Sequence, residues 1–219
     1  MIIITIYFDV NPYFIFSDAC FKSPYYETFK KHKKEVLFLN SPIDEFVMAN
    51  LKKYSGRTLI SAETSTINLD NNDEVKSDAN KDSETDSKLS VTDSDELCGW
   101  LSQILDKKTK SIKVTNRLSD SPAIVTDHES GALRRMLKMV DQSGAPKLND
   151  LPPQNLEINP SHPIIISLYS AMKANPENEV NKLIAEQLFD NALVAAGLID
   201  DPRMMLNRLN EILVATLKK

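Results

Sequence analysis

Apolar positions along the chain recur in two rhythms, one near two residues and one near 3.6. Residues 1–8 (MIIITIYF) are rich in Ile and aromatics, which suits a buried strand. A signal peptide is the competing reading. It lacks a basic leading region, and Asp9, Asn11, Pro12 and Asp18 interrupt the apolar run. Ser23-Pro24 predicts a helix start, the serine as cap and the proline in the first turn. VLFL (36–39) reads as a short strand. Ser41-Pro42 repeats the cap-then-proline start, and the helix after it places Ile43, Phe46, Val47 and Leu51 on one face. Gly56 is expected to stop that helix, and TLISAE (58–63) to form another strand. This alternation predicts a small parallel α/β unit over residues 1–69.

The second half follows a different plan. Asp93 and Glu96 resemble a capping box before a helix with Leu97, Leu101, Ile104 and Leu105 on one face. SIKVTNRL (111–118) alternates Ile112, Val114 and Leu118, a strand pattern. Residues 119–122 turn the chain into AIVT (123–126), a second strand. Residues 129–142 predict an amphipathic helix carrying Leu133, Met136, Leu137, Met139 and Val140. A proline-rich joint at 151–153 leads to Asn159-Pro160, read as the next helix start. Val180, Leu183, Ile184, Leu188 and Ala192 make a stripe over 179–195 that Gly197 ends. Asp200 or Asp201, followed by Pro202, opens a final helix with Met205, Leu206, Leu209, Ile212, Leu213 and Leu217.

Between these halves the charge is uneven. The 219 residues carry a formal net of −5, but ten acidic residues face three lysines from Asp70 to Glu96, leaving the remainder at +2. A stretch so polar cannot offset its ordering entropy by burial, so residues 70–93 are expected to be an acidic flexible linker. An acidic docking segment or a phosphorylated regulator is the alternative. The two cysteines, Cys20 and Cys98, cannot supply a disulfide framework. No apolar run approaches 18 residues, so no membrane helix is expected, and the net charge argues against a general nucleic-acid binder.

Catalytic patterns are sparse. His32, His128 and His162 stand apart from one another and from the cysteines, so no metal site is expected. No phosphate-cradling glycine spacing and no nucleophile elbow occur. Asp44-Glu45 reads as first-turn acids favoured by the helix dipole, and Lys30, Lys31, Lys33 and Lys34 as cations near a helix end.

Several motifs, in order, resemble the heat-shock protein 90 chaperones. SPYYETFKKHKKEVLFLNSPIDEFVMANLKKYSGRTLISAET is similar to the end of that family's middle domain. IKVTNRLSDSPAIV, LEINPSHPII and LFDNALVAAGLIDDPRMMLNRLNEIL resemble its terminal dimerisation domain. The resemblance covers about 23–69 and 96–219, and its details are most similar to the mitochondrial paralogue, with bacterial HtpG next. It implies an α+β / α/β fold: a small αβα unit (1–69), the acidic linker (70–93) and an α+β dimerisation domain (94–219). It implies a chaperone that binds unfolded client proteins through Leu133, Met136, Leu137, Met139 and Val140. It implies a homodimer paired through Leu188, Ala192, Met205, Leu206, Leu209, Ile212, Leu213 and Leu217. A non-chaperone module forming mixed dimers with a full-length protein is the alternative. The family's nucleotide-binding loops have no counterpart here. The chain is therefore expected to be the C-terminal portion only and no enzyme, without a cofactor of its own, ATP and Mg belonging to the full-length family. A mitochondrial location is expected, with the cytoplasm as the alternative.

Overall fold

The computed structural model describes residues 13–16, 23–32, 36–39, 42–65, 88–129, 151–199 and 201–217. The strand expected over 1–8 lies outside these residues. The first strand, β1, is Tyr13–Phe16. It lies between β2 (Val36–Leu39) and β5 (Ile60–Ser61) and is parallel to both. Helix α1 (Pro24–Lys31) begins where Ser23-Pro24 predicts, although the serine side chain makes no capping bond. Helix α2 (Pro42–Leu51) follows β2. Ile43, Val47 and Leu51 on it are exposed, so the predicted apolar face does not turn into the core; Phe46 lies outside the described side chains.

Gly56 does not stop α2. The helix ends with Lys52 in the left-handed region (φ 54°). Gly56 (φ 79°) and Ser55 (φ 49°) form the two-residue turn between β3 (Lys53–Tyr54) and β4 (Arg57–Thr58). Such hairpin turns require positive φ at both central positions, which is why a glycine serves there.

In the second half, α3 (Val91–Ile104) starts earlier than expected. Ser90 is its cap, the hydroxyl accepting from Asp93 N at 3.1 Å. Glu96 does not reach back to close a capping box. It pairs instead with Lys173 at 2.6 Å and accepts from the Tyr169 hydroxyl. Strand β7 (Ala123–Thr126) matches its predicted segment, β6 (Thr109–Val114) covers only the first half of the expected 111–118, and the two do not pair with each other. A strand absent from the sequence reading, β8 (Gln154–Ile158), lies between them, parallel to β6 and antiparallel to β7. Its Leu156, Glu157 and Ile158 are all buried, so the alternation that marks a half-exposed strand is missing.

Helix α4 (Pro163–Ala174) is capped by His162, whose Nδ1 accepts from Ile164 N at 3.1 Å. Asn159 is not the cap. It is buried at the end of β8. Helix α5 (Glu179–Ala195) is capped by Asn178. It ends in a Schellman motif: Leu198 N donates to Leu193 O and Gly197 N to Val194 O, with Gly197 at φ 66°. Asp201 caps a 3-10 turn (Pro202–Met205) that runs into α6 (Leu206–Leu217).

The core sits where α3, α4 and α5 cover the β6–β8–β7 sheet. Leu97, Leu101, Leu105, Val125, Leu156, Ile165 and Phe189 are buried there. Tyr25 and Phe29 of α1 and Ala62 after β5 belong to the same cluster, so the first half docks directly on the second.

Candidate functional site

Two features stand out by their chemistry. The first is the joint between the two halves, and it is polar. Arg117, after β6, donates from Nη1 to Thr64 O at 2.8 Å and from Nη2 to Ala62 O at 2.6 Å. The Thr28 hydroxyl of α1 donates to Arg117 O. Burial shifts the guanidinium pKa down, Glu157 and Tyr25 opposing the shift. From α1, Oε2 of Glu27 accepts from the backbone N–H groups of Ser119, Asp120 and Ser121 at 2.9, 3.1 and 3.3 Å.

Tyr25 donates to Val125 O and lies 3.1 Å from His128 Nε2. The Glu129 carbonyl, 3.0 Å from His128 Nδ1, can only accept, so Nδ1 carries the proton of the neutral ring. Burial pushes the His128 pKa below its ordinary value even though Glu63 approaches to 3.9 Å. Arg117 and Glu27 each find backbone partners across the joint, which locks orientation rather than adding apolar area.

The second feature is α6. One side is tethered: Arg208 pairs with Asp190 and, at 3.3 Å, with Glu186, both on α5. Met205 is buried at its entry. The other side carries leucines three and four residues apart. Leu206, Leu209, Leu213 and Leu217 are all exposed, Leu213 at 57% and Leu217 at 85%, and Met204 and Val214 add to the patch. No residue of α6 is buried. A soluble helix normally turns its leucines inward and its charges outward, and α6 does the reverse.

The residues predicted for a dimer face therefore divide. Leu206, Leu209, Leu213 and Leu217 form an exposed patch, and Ile212 is half-buried. Leu188, Ala192 and Met205 are not on it. They are 4%, 3% and 7% exposed, inside the chain's own core, because α5 lies over β7. Leu188 and Ala192 pack α5 onto the core, and Met205 is buried in the turn before α6. The predicted client-contact residues Leu133, Met136, Leu137, Met139 and Val140 lie outside the described residues. The places of Glu27, Arg117 and Asn159 in this joint were not foreseen: Asn159 was read as a helix cap, and Glu27 and Arg117 stand in the quoted motifs without an assigned role.

A groove of about 470 Å³ between α3 and α5 is lined by Trp100, Glu177, Lys182 and Glu186. Its charges are engaged with each other, Lys182 with Glu177 and Glu179, and Glu186 with Arg208 and Lys108. Among the described residues no cluster of His, Cys, Asp and Glu could hold a metal ion, and no helix is long and apolar enough to cross a membrane.

A family model described as Hsp90 protein matches residues 12–219. The chain is 39% identical over 197 residues to a "TNF receptor-associated protein 1 homolog, mitochondrial" of Dictyostelium discoideum, covering 90% of this chain and 26% of that protein. It is 37% identical to "Heat shock protein 75 kDa, mitochondrial" of Rattus norvegicus, covering 90% and 27%. It is 36% identical to "Chaperone protein HtpG" of Desulfitobacterium hafniense, covering 90% and 30%. The chain thus spans under a third of the length of these relatives. The match also corrects one expectation. The model that runs over residues 12–219 is that of an ATP-hydrolysing chaperone family, so the reading of the chain as no enzyme, with the nucleotide-binding domain missing, does not stand.

Proposed function

The chain belongs to the Hsp90 protein family, and from that premise we propose that it serves as a chaperone segment that pairs with a second copy through α6 and holds unfolded client proteins. The segment corresponds to the end of the middle domain and the C-terminal dimerisation domain, in the division 1–69, 70–93 and 94–219. The observation that carries this reading is the outward leucine face of α6. Burying a leucine contributes about 1.5–3 kcal/mol before ordering costs, so a two-fold copy presenting the same four leucines gives a self-complementary interface. Clients are held by the 129–142 segment, where Met136 and Met139 supply adaptable apolar contact. In the whole protein, client folding is coupled to ATP. The names of the relatives support a mitochondrial location, with the bacterial type's cytoplasm as the alternative.

Sedimentation equilibrium tests the pairing. The unaltered chain is expected to be a dimer, and Leu213→Glu a folded monomer with unchanged helical circular dichroism. A dimer that survives Leu213→Glu rules out α6 as the interface. Client holding is read separately, as suppression of aggregation of a thermally unfolded protein. Met136→Lys is expected to weaken suppression several-fold while sedimentation stays dimeric. Loss of both together would make Met136 a structural residue.

A further inference from the structure

The loop over residues 117–122 is built as an anion cradle. Asn159 donates its amide to the carbonyls of Leu118, Ser119 and Ser121 at 3.4, 3.5 and 3.2 Å, which turns those oxygens inward. The N–H groups of Ser119, Asp120 and Ser121 face the other way and converge on one oxygen of Glu27. Successive N–H groups aimed at one point form a concavity that accepts an anion irrespective of its source. The Ser121 hydroxyl lies in the same cradle and donates to the second Glu27 oxygen. Ser121 is half-exposed, follows the exposed Ser119 and Asp120, and precedes Pro122. Among the described residues Ser23 also precedes a proline, but it is buried at 5% exposure in the joint.

We propose that Ser121 is a phosphorylation site, and that a phosphoryl group there displaces Glu27 from the cradle and loosens α1 on the C-terminal sheet. The donor is ATP and the agent a proline-directed protein kinase. The Ser121 Oγ–P bond forms as the bond from the γ-phosphorus to its bridging oxygen breaks. ADP leaves, and the hydroxyl proton passes to the kinase's base. Three consequences follow at the cradle. Glu27 loses the hydroxyl donor it now uses. The phosphate brings a charge of about −1.5 to −2 against the Glu27 carboxylate. Its oxygens compete for the three N–H groups on the loop that carries it. Arg117 already spends Nη1 and Nη2 on the carbonyls of Thr64 and Ala62. Glu27 makes four of the hydrogen bonds of α1 with this loop, beside the Thr28 hydroxyl on Arg117 O, so its expulsion loosens the first turn of α1 while Tyr25 and Phe29 stay in the shared core.

The experiment installs phosphoserine at 121 in the full chain by genetic encoding, with and without Glu27→Gln. Amide hydrogen exchange is then followed across Tyr25–Phe29. Phosphoserine is expected to speed exchange there at least tenfold, and less than threefold further in the Glu27→Gln background. Exchange unchanged by the phosphate overturns the proposal, and so does an equal acceleration in both backgrounds. In parallel, a purified proline-directed kinase with ATP is expected to phosphorylate the folded chain, with the label lost in Ser121→Ala. Equal label in both proteins overturns Ser121 as the site.

Discussion

His128 shows how far a single residue's environment departs from its sequence context. Nothing in Thr126-Asp127-His128-Glu129 marks it as special, yet its side chain is 1% exposed against Tyr25, beside Glu63. The folded state holds the ring neutral because burial lowers its pKa. As the pH falls through the ordinary histidine range near 6.5, the unfolded chain takes up a proton that the folded chain does not. Stability therefore falls with pH, at most by about 1.4 kcal/mol per unit, and levels off below the folded-state pKa. Urea midpoints at pH 7.5 and pH 5.5 check this. The drop is expected to shrink in His128→Asn. Identical drops in the two proteins would place the effect elsewhere. Arg117 is the complementary case. Its charge is placed against backbone oxygens of the other half, so removing it leaves two carbonyls without a donor.

Among the elements, glycine and proline marked helix ends unevenly: Gly56 fell in a hairpin turn and Asn159-Pro160 three residues before α4, whereas Ser23-Pro24, Asp201-Pro202 and Gly197 stand at helix ends. Gly197 was read correctly as the end of α5, and its positive φ explains why. A Cβ there meets nothing within 4 Å, so the cost of replacing it is backbone strain alone. Gly197→Val is expected to lower stability by about 1 kcal/mol or more, and Gly197→Asn by distinctly less, because asparagine tolerates the left-handed region. Thermal melts of the two variants check the ranking, and equal losses would refute the strain account. Caps were harder. Ser90, not Asp93, caps α3, and His162, not Asn159, caps α4. In each case another residue able to cap stood three positions from the true one. The misplaced Asn159 was needed elsewhere, to orient the 117–122 loop.

Across the whole molecule, the two halves share one core despite the acidic stretch between them in sequence. Phe29 of α1 is fully buried in the same cluster as Leu97 and Leu101 of α3. Truncation of a buried Phe to Ala costs about 3–5 kcal/mol. Phe29→Ala is expected to lower the unfolding midpoint of the entire chain in one cooperative transition, with α3 losing exchange protection alongside α1. Two separate transitions, with α3 protection untouched, would show that the halves unfold independently. The same scale explains α6. Its arginine reaches inward to Glu186 and Asp190 while its leucines look outward, an inversion that only the position of α5 reveals.

Local pattern alone determined the succession of elements: α1, β2, α2, α3, β7, α5 and the last helix lie close to where periodicity, proline and glycine place them. Those signals act within a few residues, through sterics and one face of burial, so they survive without a fold. The order of strands did not. β8 enters between β6 and β7 through pairings that join residues about 30 to 45 positions apart, and a strand with four of its five residues buried carries no alternation to announce it. The division of the apolar stripe in the last two helices was equally invisible. Leu188 and Leu213 have the same chemistry, and only packing against the sheet decides that one is core and the other surface. The polar joint belongs to the tertiary structure for the same reason. A hydrogen bond that Glu27 accepts from a loop more than 90 residues away has no local signature, because the partner of a half-buried charge is chosen by the fold.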